Sequence, residues 1–165
     1  MPKKPKIVQA IDDRDRKILA LVQRDAKLSQ AEIAKRVGLS AAAVNERLKK
    51  LERSGVIRRF AALVDARAVG APITAFVEVF IEHPRHEPDF LERVLKMDEV
   101  QECHHITGEF SLLLKARVAD MTALQQLLIE KLNAFEGVRQ TRTVLVLSTL
   151  KEECYVPTAA RGETT

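Results

Sequence analysis

The stretch Ser29–Ser54, SQAEIAKRVGLSAAAVNERLKKLERS, packs two helix starts, one glycine turn and a dense run of cations into a short span. Ser29 followed three residues later by Glu32 has capping-box spacing, in which hydroxyl and carboxylate each satisfy a backbone N–H at a helix start. Ile33 and Val37 of that helix point inward. Gly38 supplies the positive φ needed past a helix C-terminus, Leu39 can drop into the core, and Ser40 can cap the next helix. In the second helix Val44, Leu48 and Leu51 recur at i, i+4 and i+7 as one apolar face, while Ala42, Asn45, Lys49 and Arg53 lie on or near the other. Two helices joined by so short a turn read as a helix-turn-helix. Small residues first, then an amide, then cations is an order that suits a recognition helix, whose first turns enter a major groove while later cations meet phosphates. For this stretch alone, a helical hairpin with a solvated basic face is the competing reading.

Charge divides the chain. Residues 1–65 carry 16 Lys and Arg against 8 Asp and Glu, whereas residues 66–165 carry 11 against 15, which together give the net +4 of the whole. A basic head on a mildly acidic body fits a polyanion-binding module joined to one with another task, since phosphate neutralisation supplies most non-specific nucleic-acid affinity. With 165 residues and 46% hydrophobic content, two small cores are possible. Cys103 and Cys154 form no C-x-x-C pair, so neither a disulfide framework nor a zinc site is indicated. No run of about 18 apolar residues occurs, so a soluble, cytoplasmic protein with no membrane span is expected.

Along the chain, residues 1–10 read as a flexible basic tail in which Lys3, Lys4 and Lys6 can touch phosphate. A helix is expected from Asp12 or Asp13 to about Arg24, with acids at its positive end and Ile11, Ile18, Leu19 and Val22 on one face. After Gly55, the β-branched, basic run Val56 to Val64 reads as a strand or short wing, in which Arg58 and Arg59 can meet backbone phosphate. The head therefore spans 11–64, and DARAVGAP at 65–72, with Gly70 and Pro72, is the link. From residue 73 the periodicity changes. Strand Ile73 to Glu82, helix Glu87 to Met97, strand Val100 to Thr107, a tight turn at Gly108-Glu109, strand Phe110 to Val118, helix Met121 to Phe135 and strand Val138 to Leu150 give β-α-β-β-α-β. That order is ferredoxin-like, with both helices on one face of an antiparallel sheet, over residues 73–156. The fold class is thus α+β, and residues 157–165 read as a flexible tail. The second sheet face is also partly apolar, and a second copy of the chain is its natural cover, so a dimer through the sheets is expected.

A basic winged helix-turn-helix head, a short link and a β-α-β-β-α-β body resemble the Lrp/AsnC family of transcription regulators over about residues 11–155. The signposts are Ile11-Asp12-x-x-Asp15-x-x-Ile18-Leu19, Val37-Gly38-Leu39-Ser40, Arg47-Leu48-x-x-Leu51-Glu52-x-x-Gly55-Val56-Ile57, Thr107-Gly108-Glu109-Phe110, Gly137-Val138 and Thr141-Arg142-Thr143. The resemblance implies double-stranded DNA as a partner, dimers that often associate into octamers as tetramers of dimers, and a small effector, usually an amino acid, bound between dimers near the hairpin turn. It implies DNA contacts at Ser40, Asn45, Arg47, Lys49 and Lys50, and an effector pocket bordered by Thr107, Gly108 and Glu109. An exposed glycine turn offers N–H groups to a carboxylate, and Glu109 offers charge to an ammonium. Leucine-responsive members carry Gly-Asp-Phe-Asp at this hairpin, whereas this chain has Gly108-Glu109-Phe110-Ser111. A hydroxyl at Ser111 cannot neutralise an ammonium, which weighs against leucine as the effector.

Two other readings remain open. Cys103-His104-His105, with His83 and His86, resembles material for a metal site, but strand alternation separates His104 from Cys103 and His105, so no metal is expected. The Cys103 and His105 face lies near the hairpin, where His105 can line an effector pocket. Siroheme decarboxylases resemble the same fold family, and His104, His105 and Arg142 are the candidates for such an enzyme. A strongly basic recognition helix and the lack of any nucleophile-base-orienter set argue against catalysis and against a cofactor. A third class, an architectural protein that wraps DNA with little sequence preference and no effector, is hardly distinguishable in composition.

Overall fold

The computed structural model describes residues 11–158. The basic tail with Lys3, Lys4 and Lys6, and residues 159–165, lie outside the described residues. Of the described residues, 11–62 and 152–158 form one compact unit, and Leu63–Lys151 form the other.

The first unit contains three helices, α1 (Asp13–Arg24), α2 (Gln30–Val37) and α3 (Ala41–Arg53). Each has a side-chain N-cap: Asp12 for α1, Ser29 for α2 and Ser40 for α3. The first two are reciprocal capping boxes, completed by Asp15 and Glu32. Gly38 ends α2 at φ 69°, and the Leu39 N–H returns to the Ala34 carbonyl at 3.0 Å, which closes the turn and sends Leu39 towards the core. Ile18, Val22, Ile33, Ala34 and Val44 form that core, with Leu21, Leu28, Val37, Leu39, Leu48 and Ile57 packed on it. The expected strand over Val56 to Val64 does not form in the described chain, because a ladder needs a paired edge and none of the described strands runs beside it. Residues 152–158 instead contribute a strap along α1. The Gln23 side chain donates to the Val156 carbonyl at 3.0 Å and accepts from its N–H at 2.9 Å. Arg16 donates to the Thr158 carbonyl, Thr158 Oγ1 donates to the Arg16 carbonyl, and the Arg24 guanidinium sits 5.6 Å from the Tyr155 ring centre.

The second unit runs β1 (Ile73–Ile81), α4 (Glu87–Val94), β2 (Val100–His105), β3 (Leu112–Val118), α5 (Met121–Gln126) and β4 (Val138–Leu145). All strand pairs are antiparallel in the order β2-β3-β1-β4. Alternation decides the faces: Ala75, Val77, Val79 and Ile81 of β1 and Leu112, Leu114, Ala116 and Val118 of β3 are buried with Phe90 and Val94 of α4 and Leu124 of α5. Phe90 meets Phe135 edge-on, with ring centres 5.4 Å apart.

Apart from β1, which ends one residue early at Ile81, element ends differ from the sequence reading in four places. Helix α4 stops at Val94, three residues early, in turn hydrogen bonds from Lys96 to Arg93 and from Met97 to Val94. The last helix does not stay α-helical to Phe135; it widens into π turns over Leu127–Asn133. Strand β4 ends at Leu145 because β1, its pairing strand, begins at Ile73; the Val146 N–H to the Thr74 carbonyl is the last rung, and Leu147 and Leu150 are exposed. The hairpin turn is a loop over 106–111, closed by the Ile106 N–H donating to the Ser111 carbonyl at 3.0 Å. No helix of the described residues is long and apolar enough to cross a membrane.

Candidate functional site

The first unit presents α3 through its cap. Ser40 Oγ accepts from the Ala43 N–H at 3.2 Å, fixing the first turn, and Ala41 and Ala42 are exposed there. Val44 and Leu51 anchor the opposite face in the core. Asn45 is half-buried, its Oδ1 accepting from Gln30 Nε2 of α2 at 3.0 Å, which leaves the Nδ2 end as its side-chain donor. One turn on, Lys49 is exposed, 3.6 Å from Glu46, and Lys50 is partly exposed. Gly55 turns the chain, the Ile57 N–H returns to the Leu51 carbonyl at 3.0 Å, and Arg58 and Arg59 follow on the surface. Ser40, Ala42, Asn45, Lys49 and Lys50 thus lie along one helix, with Arg58 and Arg59 just past its end.

Arg47 is placed differently. Its Nη1 lies 2.7 Å from Asp12 Oδ2 and 2.7 Å from Asp15 Oδ1. The carboxylates' other oxygens serve the α1 cap: Asp12 Oδ1 accepts from the Asp15 N–H at 2.8 Å and Asp15 Oδ2 from the Asp12 N–H at 3.3 Å. Asp15 is only 1% exposed, so a charge there needs this pairing. The Asp15 backbone N–H and then the Arg47 guanidinium hold the Asp12 carboxyl below its ordinary value, and Asp12 followed by Asp15 push the Arg47 pKa up. From sequence, Asp12 and Asp15 read as acids at a helix start and as part of the first-helix signpost, with no partner assigned; their three-residue spacing opposite a cation on a later helix was the available signal.

In the second unit, Thr107, Gly108 and Glu109 are exposed in the 106–111 loop, with Gly108 at φ 115°. Phe110 is buried, and the Arg142 guanidinium of β4 lies 5.1 Å from its ring centre. Ser111 is held at the backbone, its N–H donating to the Val79 carbonyl at 3.0 Å. His105 Nε2 lies 2.8 Å from Glu87 Oε1 at the start of α4, on the helix side of the sheet. Cys103 shares that side, and burial, then the Glu87 charge, raise its thiol pKa, which disfavours the thiolate.

His104 points to the opposite face, 3.2 Å from Glu102. Arg142 pairs with Glu78, which raises its pKa. The strands β2 and β4 are the two sheet edges, three strand spacings or ~14 Å apart. Within one chain, therefore, His104, His105 and Arg142 do not converge. Among the described residues no group of three or more His, Cys, Asp or Glu is arranged to hold a metal ion.

Comparison with known proteins agrees with both units. The winged helix-turn-helix DNA-binding family model matches residues 11–58, and the Lrp/AsnC ligand binding domain matches residues 74–156. The leucine-responsive regulatory proteins of Escherichia coli K12 and Salmonella typhimurium are each 41% identical to this chain over 146 residues, covering 86% of it and 88% of the relative. A Neisseria meningitidis transcriptional regulator solved as an L-Met complex superposes with a TM-score of 0.85 at 34% identity, covering 90% of this chain and 97% of the other. Escherichia coli AsnC superposes at 0.82 and 27% identity, covering 89% and 99%. With a helix-turn-helix head, a ferredoxin-like body and relatives matched across both, the chain belongs to the Lrp/AsnC family of DNA-binding transcriptional regulators.

Proposed function

We propose that this regulator reads DNA with α3 and is controlled by an amino acid bound by its second unit. The exposed, Ser40-capped start of α3 carries the reading: Ala42 lets the helix seat deeply, Asn45 offers its Nδ2 donor to a base edge, and Lys49, Lys50, Arg58 and Arg59 meet phosphates. Dimers present two such helices to successive major grooves. The sheet face away from α4 and α5 carries Phe76, Phe80, Leu113 and the exposed Val144, and a second copy is the cover we assign to it, with octamers as the higher assembly. Such a protein works beside its DNA in the cytoplasm and needs no catalytic group.

The effector class is supported by the relatives named for leucine and by the one solved with L-Met. In this chain the exposed tip 107–109 of the 106–111 loop offers backbone N–H groups to a carboxylate and the Glu109 carboxylate to an ammonium, with Thr107, Gly108, Ser111 and His105 around them. Effector binding favours one assembly or head spacing, and linkage passes the same coupling energy to DNA affinity. A thermal-shift panel of the common amino acids tests the site: one of them raises Tm in the wild type and not in Glu109→Ala, since ligand at about 100 times its Kd stabilises by about 2.7 kcal/mol. A shift that survives Glu109→Ala unchanged places the effector elsewhere.

A further inference from the structure

We infer that Arg47 is a positioning residue of the recognition helix and not one of its DNA contacts. The inference rests on the reading of α3 as the DNA-reading helix. Each of Asp12 and Asp15 uses one carboxylate oxygen to cap α1 and the other to hold Arg47 Nη1 at 2.7 Å, so the four oxygens and the guanidinium make one closed network between two helices. A cation swung out to a phosphate abandons both carboxylates. One of them, on Asp15, is 1% exposed and has no water to replace the partner. Arg47 itself is 27% exposed, against 57% for Lys49 one half-turn away, which suits a residue facing α1 and not a groove. The network ties the middle of α3 to the first turn of α1, a restraint that the apolar core, which is non-directional, does not supply. Arg47 thereby sets the rotation of α3 that aims Asn45 and Lys49.

The test compares variants on a duplex selected from a random pool with the wild-type protein and on a scrambled duplex of equal length, each across a salt series. Asp12→Asn is the informative substitution, because asparagine caps a helix as well as aspartate and only the Asp12 arm of the ion-pair network is lost, with Arg47 still held by Asp15. By charge alone, removing an acid from a polyanion-binding head strengthens binding. Positioning predicts the reverse: Asp12→Asn weakens binding to the selected duplex by about fivefold and Arg47→Gln by about tenfold, both mainly on the selected duplex, so the specificity ratio falls. The slope of log K against log salt stays at the wild-type value for both, whereas a phosphate contact at Arg47 costs about 0.9 in slope when it is removed. Thermal melts confirm that each variant is folded at the assay temperature. An Arg47→Gln slope flattened as much as that of Lys49→Ala overturns the inference, as does an Asp12→Asn variant that binds both duplexes more tightly. Lys49→Ala separates the two failures: if it leaves slope and affinity untouched, the reading of α3 falls; if it flattens the slope while the Arg47 result is contrary, only the inference falls.

Discussion

The Gln23 side-chain amide pairs with the backbone of Val156 in both directions, donating to its carbonyl and accepting from its N–H, as a neighbouring strand residue does. A side chain on α1 thus stands in for a missing strand edge and seats the 152–158 strap in the first unit.

Because both hydrogen bonds are solvent-exposed, Gln23→Ala should lower the stability of the first unit by about 1 kcal/mol, read by urea denaturation. Hydrogen exchange at the Val156 amide should quicken in the same variant. Unchanged stability together with unchanged exchange at Val156 counts against the strap.

Two glycines should respond differently to alanine. Gly38, at φ 69°, has open space where a Cβ would go, so Gly38→Ala costs only the strain of the left-handed backbone, about 1 kcal/mol. At Gly137, φ is 92° and a Cβ would lie 2.5 Å from His86 Cβ and Cγ. Strain and collision add there, and Gly137→Ala should cost about 3 kcal/mol. Chemical denaturation orders the two; equal losses contradict the packing of Gly137 on His86.

The first unit should also weaken in acid through Asp12. Its folded pKa is depressed below the unfolded one, so the stability it contributes is fully present above the ordinary carboxylate range and is lost as pH falls below about 4 towards the depressed value. Asp12→Asn should flatten that part of the pH–stability curve while keeping the cap. Parallel wild-type and variant curves between pH 5 and the acid limit of folding speak against the coupling.

Much of this architecture was legible in local signals. Ser29 with Glu32, Gly38 and Ser40 are cap residues whose chemistry acts within a few positions, and the structure places all of them as the spacing predicts. The body strands were legible because Ala75, Val77, Val79 and Ile81 alternate with a period of two. What the sequence hid depends on distant partners. Strand β4 stops where β1 begins, a fact held by residue 73 and not by residue 145. The run 56–64 has strand composition but no described strand to pair with. Arg47 sits among Lys49 and Lys50 and reads as one more basic residue of α3, until the fold brings Asp12 and Asp15 to it.

On α3 the two roles should separate by substitution. Asn45→Ala should lose discrimination at one base pair, worth about 1–3 kcal/mol, with the salt slope unchanged. Lys49→Ala should weaken binding to all duplexes alike and reduce the slope by about 0.9. Unaltered discrimination in Asn45→Ala moves the reading residue elsewhere on the helix.

The central claim, that DNA binding by the first unit answers to an amino acid bound by the second, is tested most directly by fluorescence anisotropy. The purified full chain is titrated onto DNA from upstream of its own gene and onto a scrambled duplex at one salt concentration, with and without each common amino acid. The account predicts selective binding whose affinity one amino acid shifts by 5- to 150-fold, the range of about 1–3 kcal/mol of coupling. Binding without selectivity, or selective binding that no amino acid shifts, contradicts it.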